Sequence, residues 1–433
     1  MRTERAFFLA LATVATLAVS NLLNVTVSTG KFNEAYPSVV CPPNLSGLST
    51  AISLSTSGAE IRKTGTKSMK TKRSGISRYA ISSQSAIIES NEVTPAVWQT
   101  RKGIWAGASL CTGPITSQWF VGATADITSK GSLNLVNSGL GKAVVTVNVF
   151  TENGLVTPRD VVVKANSYLN LPLVSLAPGS KRIAIHIKPK SGRVNGFVVD
   201  ERGRGLRTLG GDLVNSTGNP EKSLQIPAIP QQVNRNVATP HTLRLYVPGG
   251  IDARISAEIR STDGTFSPLG INGKVVPHQK VIEIPMKIKM AAGIFSLHID
   301  SDQPILGSVF SQIQVQGKSD FIWSTSVPNL EEFTLATNGL APNLVFSGKE
   351  IRVTLDLLSS SGKSRQVEIR GEDIATYSVP ASTRAVSLTN ISKGLSGAAL
   401  ISSKSGSGYL PLLPGSVLTK SSIPSSDISV LNP

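Results

Sequence analysis

The stretch "VNVFTENG" (Val147–Gly154) decides the fold. Val145, Val147 and Val149 alternate with Thr146 and Asn148, so the valines share one face of an extended strand. Asn153-Gly154 then supplies a turn whose glycine suits a positive φ angle. The phrase returns as "AEIRSTDG" (Ala257–Gly264) and "LDLLSSSG" (Leu355–Gly362), with turn glycines 110 and 98 residues apart (264 − 154 and 362 − 264). Short alternating runs flank each copy, among them "SLNLVNSG" (Ser132–Gly139) and "TLRLYVPGG" (Thr242–Gly250). A unit of that length built from short alternating strands matches a two-sheet sandwich, and its recurrence means tandem units. A fainter first copy, "TAISLSTSG", ends at Gly58. Four similar units also admit a β-propeller, whose blades are however usually about 40–50 residues.

Composition agrees. The 433 residues exceed one ordinary core, and 40% hydrophobic against 16% charged residues marks a folding chain. The 38 glycines and 25 prolines indicate many turns. A formal net charge of +16 favours polyanionic partners without choosing among nucleic acid, anionic lipid and acidic wall polymer.

The N-terminus chooses. Arg2 and Arg5 precede a stretch without charge from Ala6 to Gly30, apolar from Ala6 to Val19, with Ala18-Val19-Ser20 as a small-residue cleavage site. This is the pattern of a secretory signal, and uncleaved it would serve as a single-pass anchor with the rest of the chain outside. Export argues against nucleic acid as partner. The only two cysteines, Cys41 and Cys111, then read as a disulfide. If they occupy matching places in adjacent units, the bridge joins the N-terminal unit to the next.

The expected organisation is a signal peptide or signal-anchor helix over 1–30, an N-terminal β unit with a basic insert over 31–104, and immunoglobulin-like β-sandwich repeats over 105–222, 223–318 and 319–433. The Gly- and Arg-rich run Glu201–Pro230 falls between units, and the tail from Leu418 reads as loosely ordered.

Candidate chemistry is sparse. His186 and His298 hold equivalent places in two repeats, yet alternation turns His186 to solvent, opposite Ile185 and Ile187. Asp300 and Asp302 form only a fragment of a calcium loop, and Gly362-Lys363-Ser364 lacks the earlier glycine of a phosphate loop. No catalytic, metal-ligating or cofactor-binding residue is therefore assigned. Trp98, Trp105 and Trp119, near Cys111, are candidate glycan contacts or core residues packed on the disulfide. The insert Ile61–Gly75 carries Arg62, Lys63, Lys67, Lys70, Lys72 and Arg73 without an acid, a candidate contact for anionic lipid or wall polymer.

An early Cys-Pro, then "SLCTGPITSQWFVGATAD" leading into "SLNLVNSGLGKAVVTVNVFTENG", resembles an actinobacterial family of exported proteins, the domain of unknown function numbered five-seven-one-nine. The resemblance implies an envelope location and supplies no catalytic residue. Together these readings give an expected non-enzymatic envelope protein of structural or adhesive type, without cofactor, that contacts protein, wall polymer or an anionic membrane. The alternatives are a carbohydrate-binding module protein on the tryptophans and a polysaccharide-acting enzyme with paired carboxylates.

Overall fold

The computed structural model describes residues 32–35, 38–54, 59–66, 69–72, 78–89, 93–234, 237–416 and 421–424. The expected signal or anchor (1–30) lies outside the described residues, as does Gly58 of the faint first copy. The chain divides into two compact units, Pro37–Leu418 and a second made of Met1–Tyr36 with Thr419–Pro433. In the second, Phe32–Ala35 pairs antiparallel with Ser421–Pro424 from the tail.

Pro37–Leu418 is almost entirely β, with one four-residue helix, Leu173–Leu176, among the described residues. Four β groups follow along the chain. In the first, the sheet containing Val39–Val40, Ala59–Lys63, Met69–Lys72 and Ala86–Glu89 faces one containing Ser49–Ser53, Arg78–Ile81, Ala96–Arg101 and Trp105–Leu110. Ile52, Ile61, Ile88 and Val97 share its core with Cys41 and Cys111. The second group joins Ala143–Thr151, Ile183–Ser191 and Gln118–Val121 in one sheet and Ser132–Asn137, Val194–Arg204 and Arg207–Val214 in the other.

The alternation in the opening phrase is the packing pattern. Along Ala143–Thr151, residues are buried and half-buried in strict turn, with Val145, Val147 and Val149 inside. Gly154, Gly264 and Gly362 have φ of 111°, 103° and 79°, the region that favours glycine. In the third group a single 23-residue strand, Gly293–Val315, pairs with Glu221–Gln231 and Ala253–Ser261 along its first half. Its second half pairs with His241–Tyr246 and Lys318–Thr325. In the fourth, Asn343–Ser359 pairs with Ser364–Ser378, Thr383–Thr389 and Ser396–Ser403.

The four groups close a ring. Val40 and Ile87 of the first pack on Val136 and Phe197 of the second. Trp119 and Val121 of the second meet Tyr246 and Leu306 of the third. Ala228 and Ile322 of the third meet Val345 and Tyr409 of the fourth. Trp98, Ala106, Ala108 and Leu110 of the first complete the core of the fourth, with Leu344, Phe346, Val353 and Leu410. Backbone hydrogen bonds stitch this last joint, from Gly113 to Gly415 at 2.6 Å and from Ala336 to Thr94 at 2.9 Å.

Each group contributes one strand to the middle of the ring: Trp105–Leu110, Arg207–Val214, Lys318–Thr325 and Gly406–Pro411. Each is the second strand of a tight hairpin, closing at Arg101↔Trp105, Arg204↔Arg207, Val315↔Lys318 and Ser403↔Gly406. These inner strands run side by side in the same direction. Trp105 lies against Gly211 and Gly107 against Leu213, Gly406 against Ala106, and Gly210 against Asp320. A β-carbon on Gly406 would sit 2.3 Å from the Ala106 nitrogen, so this approach requires glycine.

This corrects several expectations. The run Glu201–Pro230 is no linker: it supplies the inner strand Arg207–Val214 and the strand Glu221–Gln231. Because that inner strand is covered by neighbours as well as by its own group, it carries small residues, "LGGDLV", instead of an alternating pattern. The breaks expected at 104/105 and 318/319 fall within hairpins. Since Trp105–Leu110 pairs back on Ala96–Arg101, the disulfide Cys41–Cys111 closes inside the first group and does not bridge two.

Candidate functional site

The middle of the ring holds the densest chemistry, and it is buried. Asp200, Asp212, Asp320 and Arg244 are covered, with Arg202 half-covered beside them. Parallel neighbours from different groups lack a shared backbone ladder, and side chains supply the cross-links. The Asp212 carboxyl accepts the Trp323 backbone N–H at 2.8 Å, and the Asp320 carboxyl accepts that of Gly211 at 3.1 Å. The second and third groups thus clamp each other reciprocally. The Trp323 indole donates to Asp200 at 2.8 Å, and Asp200 pairs with Arg202 at 2.7 Å. The Arg202 guanidinium lies 4.7 Å and 4.8 Å from the Phe310 and Phe321 rings, a cation–π arrangement.

The other joints use the same device. The Asn215 amide donates to carbonyls of Ala108 (3.1 Å) and Tyr409 (2.9 Å), in the first and fourth groups. The Tyr409 hydroxyl donates to the Thr325 carbonyl at 2.9 Å. Arg244 reaches from the third group to carbonyls of Ala123 and Ile183 in the second while pairing with Glu283 at 2.6 Å.

Burial shifts two of these carboxyls, Asp212 and Asp320. Desolvation holds the Asp212 carboxyl well above its usual range, and the nearby Asp320 and Asp200 push the same way. Desolvation also raises Asp320 to about 7, partly offset by the two backbone N–H groups it accepts. Its Oδ2 is buried and meets no protein hydrogen-bond partner, which disfavours the charged carboxylate. An acid whose folded pKa lies above its unfolded value stabilises fully below the unfolded value and loses that contribution as pH rises through the folded one. For Asp320 the window runs from 3.8 to about 7. Asp320→Asn is therefore expected to flatten the fall in stability across that window and to be more stable than wild type at pH 8, read by denaturant unfolding at several pH values. A variant whose stability parallels wild type at every pH would remove Asp320 as the titrating group.

The expected site residues are placed as follows. Trp98 and Trp119 are 8% exposed and Trp105 is fully covered, so no ring offers a free face to a sugar. Trp119 stacks on His186 at 3.9 Å, and His186 meets the Ser117 hydroxyl at 2.9 Å, so this histidine is half-buried and not turned to solvent. Desolvation, with Lys188 nearby, lowers it to about 4. In the basic insert, Ala59–Lys63 pairs with Met69–Lys72 as a hairpin. Arg62 is committed across groups, to the Asn166 side chain at 2.5 Å and the Ser138 carbonyl at 3.1 Å, and Lys63 is half-buried. The side chains of Lys67, Lys70, Lys72 and Arg73 lie outside the described residues. Among the described residues no three His, Cys, Asp or Glu side chains converge as metal ligands.

Sequence reading passed over the end of the ring where the four inner hairpins turn. Their tips are "RKGI" (Arg101–Ile104), "RGRGLR" (Arg202–Arg207), "VQGK" (Val315–Lys318) and "SKSG" (Ser403–Gly406). Since the inner strands are parallel and each starts at its turn, all four tips emerge together. Lys318 of the third group donates to the Gly103 carbonyl of the first at 2.9 Å. The loop Asp126–Lys130 lies beside the second tip, with the Gly203 N–H donating to Thr128 at 2.8 Å. The one signal in the sequence was a glycine within two residues of a basic residue in each turn.

Fold and site thus define a class: an all-β protein whose ring is clamped from within by buried carboxylates and whose inner hairpins present a basic end. The profile of a family of unknown function (DUF5719) matches residues 89–398, and the chain belongs to that family. No curated protein matches the chain.

Proposed function

We propose that this is a non-enzymatic, exported protein of an actinobacterial cell envelope, structural or adhesive in type, built of an N-terminal β unit and tandem immunoglobulin-like β-sandwich repeats. A cleaved signal or an N-terminal anchor helix delivers it outside the membrane. The observation that carries the reading is the use of the ionisable core. The two described carboxyls raised by burial, Asp212 and Asp320, are spent on backbone N–H groups of neighbouring strands. That use supports a scaffold reading. The disulfide supports export, since such bonds persist in oxidising compartments.

The test is fractionation of the native producer into cytoplasm, membrane, wall and medium, with the mass of the mature chain and its thiol content. The expected result is an oxidised chain outside the cytoplasm. A reduced chain confined to the cytoplasm would overturn the reading.

A further inference from the structure

We propose that the hairpin-tip end of the ring docks on an anionic lipid bilayer. This rests on the extracytoplasmic reading above and names a surface within it. Lys102, Lys130, Arg204, Arg207, Lys318 and Lys404 are exposed there. None of the six forms an ion pair with a described carboxylate, whereas Arg101 and Arg202 on the same tips are neutralised by Glu201 and Asp200. Across the tips and the adjoining loop, the one other carboxylate beside the buried Asp320 is Asp126. It is half-buried and turned onto the Thr128 N–H and hydroxyl at 2.8 and 2.6 Å.

Charge alone would suit any polyanion; the apolar residues among it select a bilayer. Leu206, at the outermost point of the second tip, is fully exposed, and Ile127 on the loop beside it is 96% exposed. The two loops are held together by the Gly203–Thr128 bond and by Lys130 donating to the Gly205 carbonyl at 3.3 Å. A pair of bare aliphatic side chains framed by Lys and Arg fits the boundary between acyl chains and anionic headgroups. A hydrated polymer offers the aliphatic groups nothing. Four tips meeting at one end of the ring, cross-linked by the Gly203–Thr128, Lys130–Gly205 and Lys318–Gly103 bonds, allow the contacts to form together.

The experiment uses the full chain and sedimentation with vesicles of phosphatidylglycerol and phosphatidylcholine, phosphatidylcholine alone, or soluble inorganic polyphosphate. The tip variant combines Arg204→Glu, Leu206→Asp and Arg207→Glu. The control, Lys363→Glu with Arg365→Glu, alters another exposed turn at the far end of the long strand Asn343–Ser359. Comparison within the full chain holds the N-terminal apolar segment constant. Expected is salt-sensitive binding to the anionic vesicles, weakened about tenfold or more by the tip variant and little by the control. Equal binding by wild type and tip variant would overturn the proposal. So would tip-dependent binding to polyphosphate without any to vesicles, which would assign the face to a wall polymer. Loss of vesicle binding with extracytoplasmic fractionation intact removes only the docking face, and cytoplasmic fractionation removes the broader reading.

Discussion

Replacing Arg244 by methionine is expected to cost about 3–5 kcal/mol, the range for breaking a buried charge pair from one side. Methionine keeps much of the stem volume, so the loss comes from the guanidinium. Its donors serve carbonyls of Ala123, Ile183 and Lys181 in the second group as well as Glu283 in its own. Without it those carbonyls lose donors at a buried joint, and each buried unsatisfied group costs about 1–3 kcal/mol. Glu283 keeps some water and a second partner, Arg182 at 3.3 Å. Adding Glu283→Gln to the methionine variant should therefore recover only a minor part. Equilibrium unfolding in denaturant measures both variants, and a single-variant loss below about 1 kcal/mol would mean the joint is held by packing alone.

The disulfide is the second large term. Cys41 and Cys111 are 70 residues apart in sequence, and on the chain-entropy estimate closing such a loop stabilises by about 4 kcal/mol. The structure adds a reason for the effect to spread. Thr112, next to Cys111, exchanges backbone hydrogen bonds with Val40 at 2.8 and 2.9 Å, and the following Gly113 donates to Gly415 in the joint that closes the ring. Substituting both cysteines by alanine should lower the unfolding midpoint strongly and make the first group, with the tail of the fourth, the earliest region to exchange amide hydrogens. Protection lost evenly over all four groups would show that the ring melts as one cooperative body. A midpoint unchanged by the double substitution would show that the bridge contributes nothing.

Much of the fold was legible because half-buried strands write their geometry into alternation. Val145, Val147 and Val149 point inward as their spacing requires, and Gly154 and Gly264 take the positive φ that their turns demand. The inner strands were not legible. Trp105–Leu110 is buried along its whole length, and "LGGDLV" approaches Trp105 and Asp320 from adjacent strands, so neither shows a period of two. Glycines that permit backbone contact look, in sequence, like glycines that permit a turn. The same ambiguity made Glu201–Pro230 read as a spacer.

The sequence by itself determined the all-β class, the repeated strand-and-turn unit, the pairing of its only two cysteines and the family, because each depends on local pattern or on a count. Only the tertiary structure decided that the units form a closed ring, that Asp200, Asp212 and Asp320 meet at its centre, and that four modest basic turns make one face. These depend on residues as distant in sequence as Gly113 and Gly415, or Gly103 and Lys318. Their proximity is fixed by how apolar surfaces of whole groups pack, and no spacing along the chain records that.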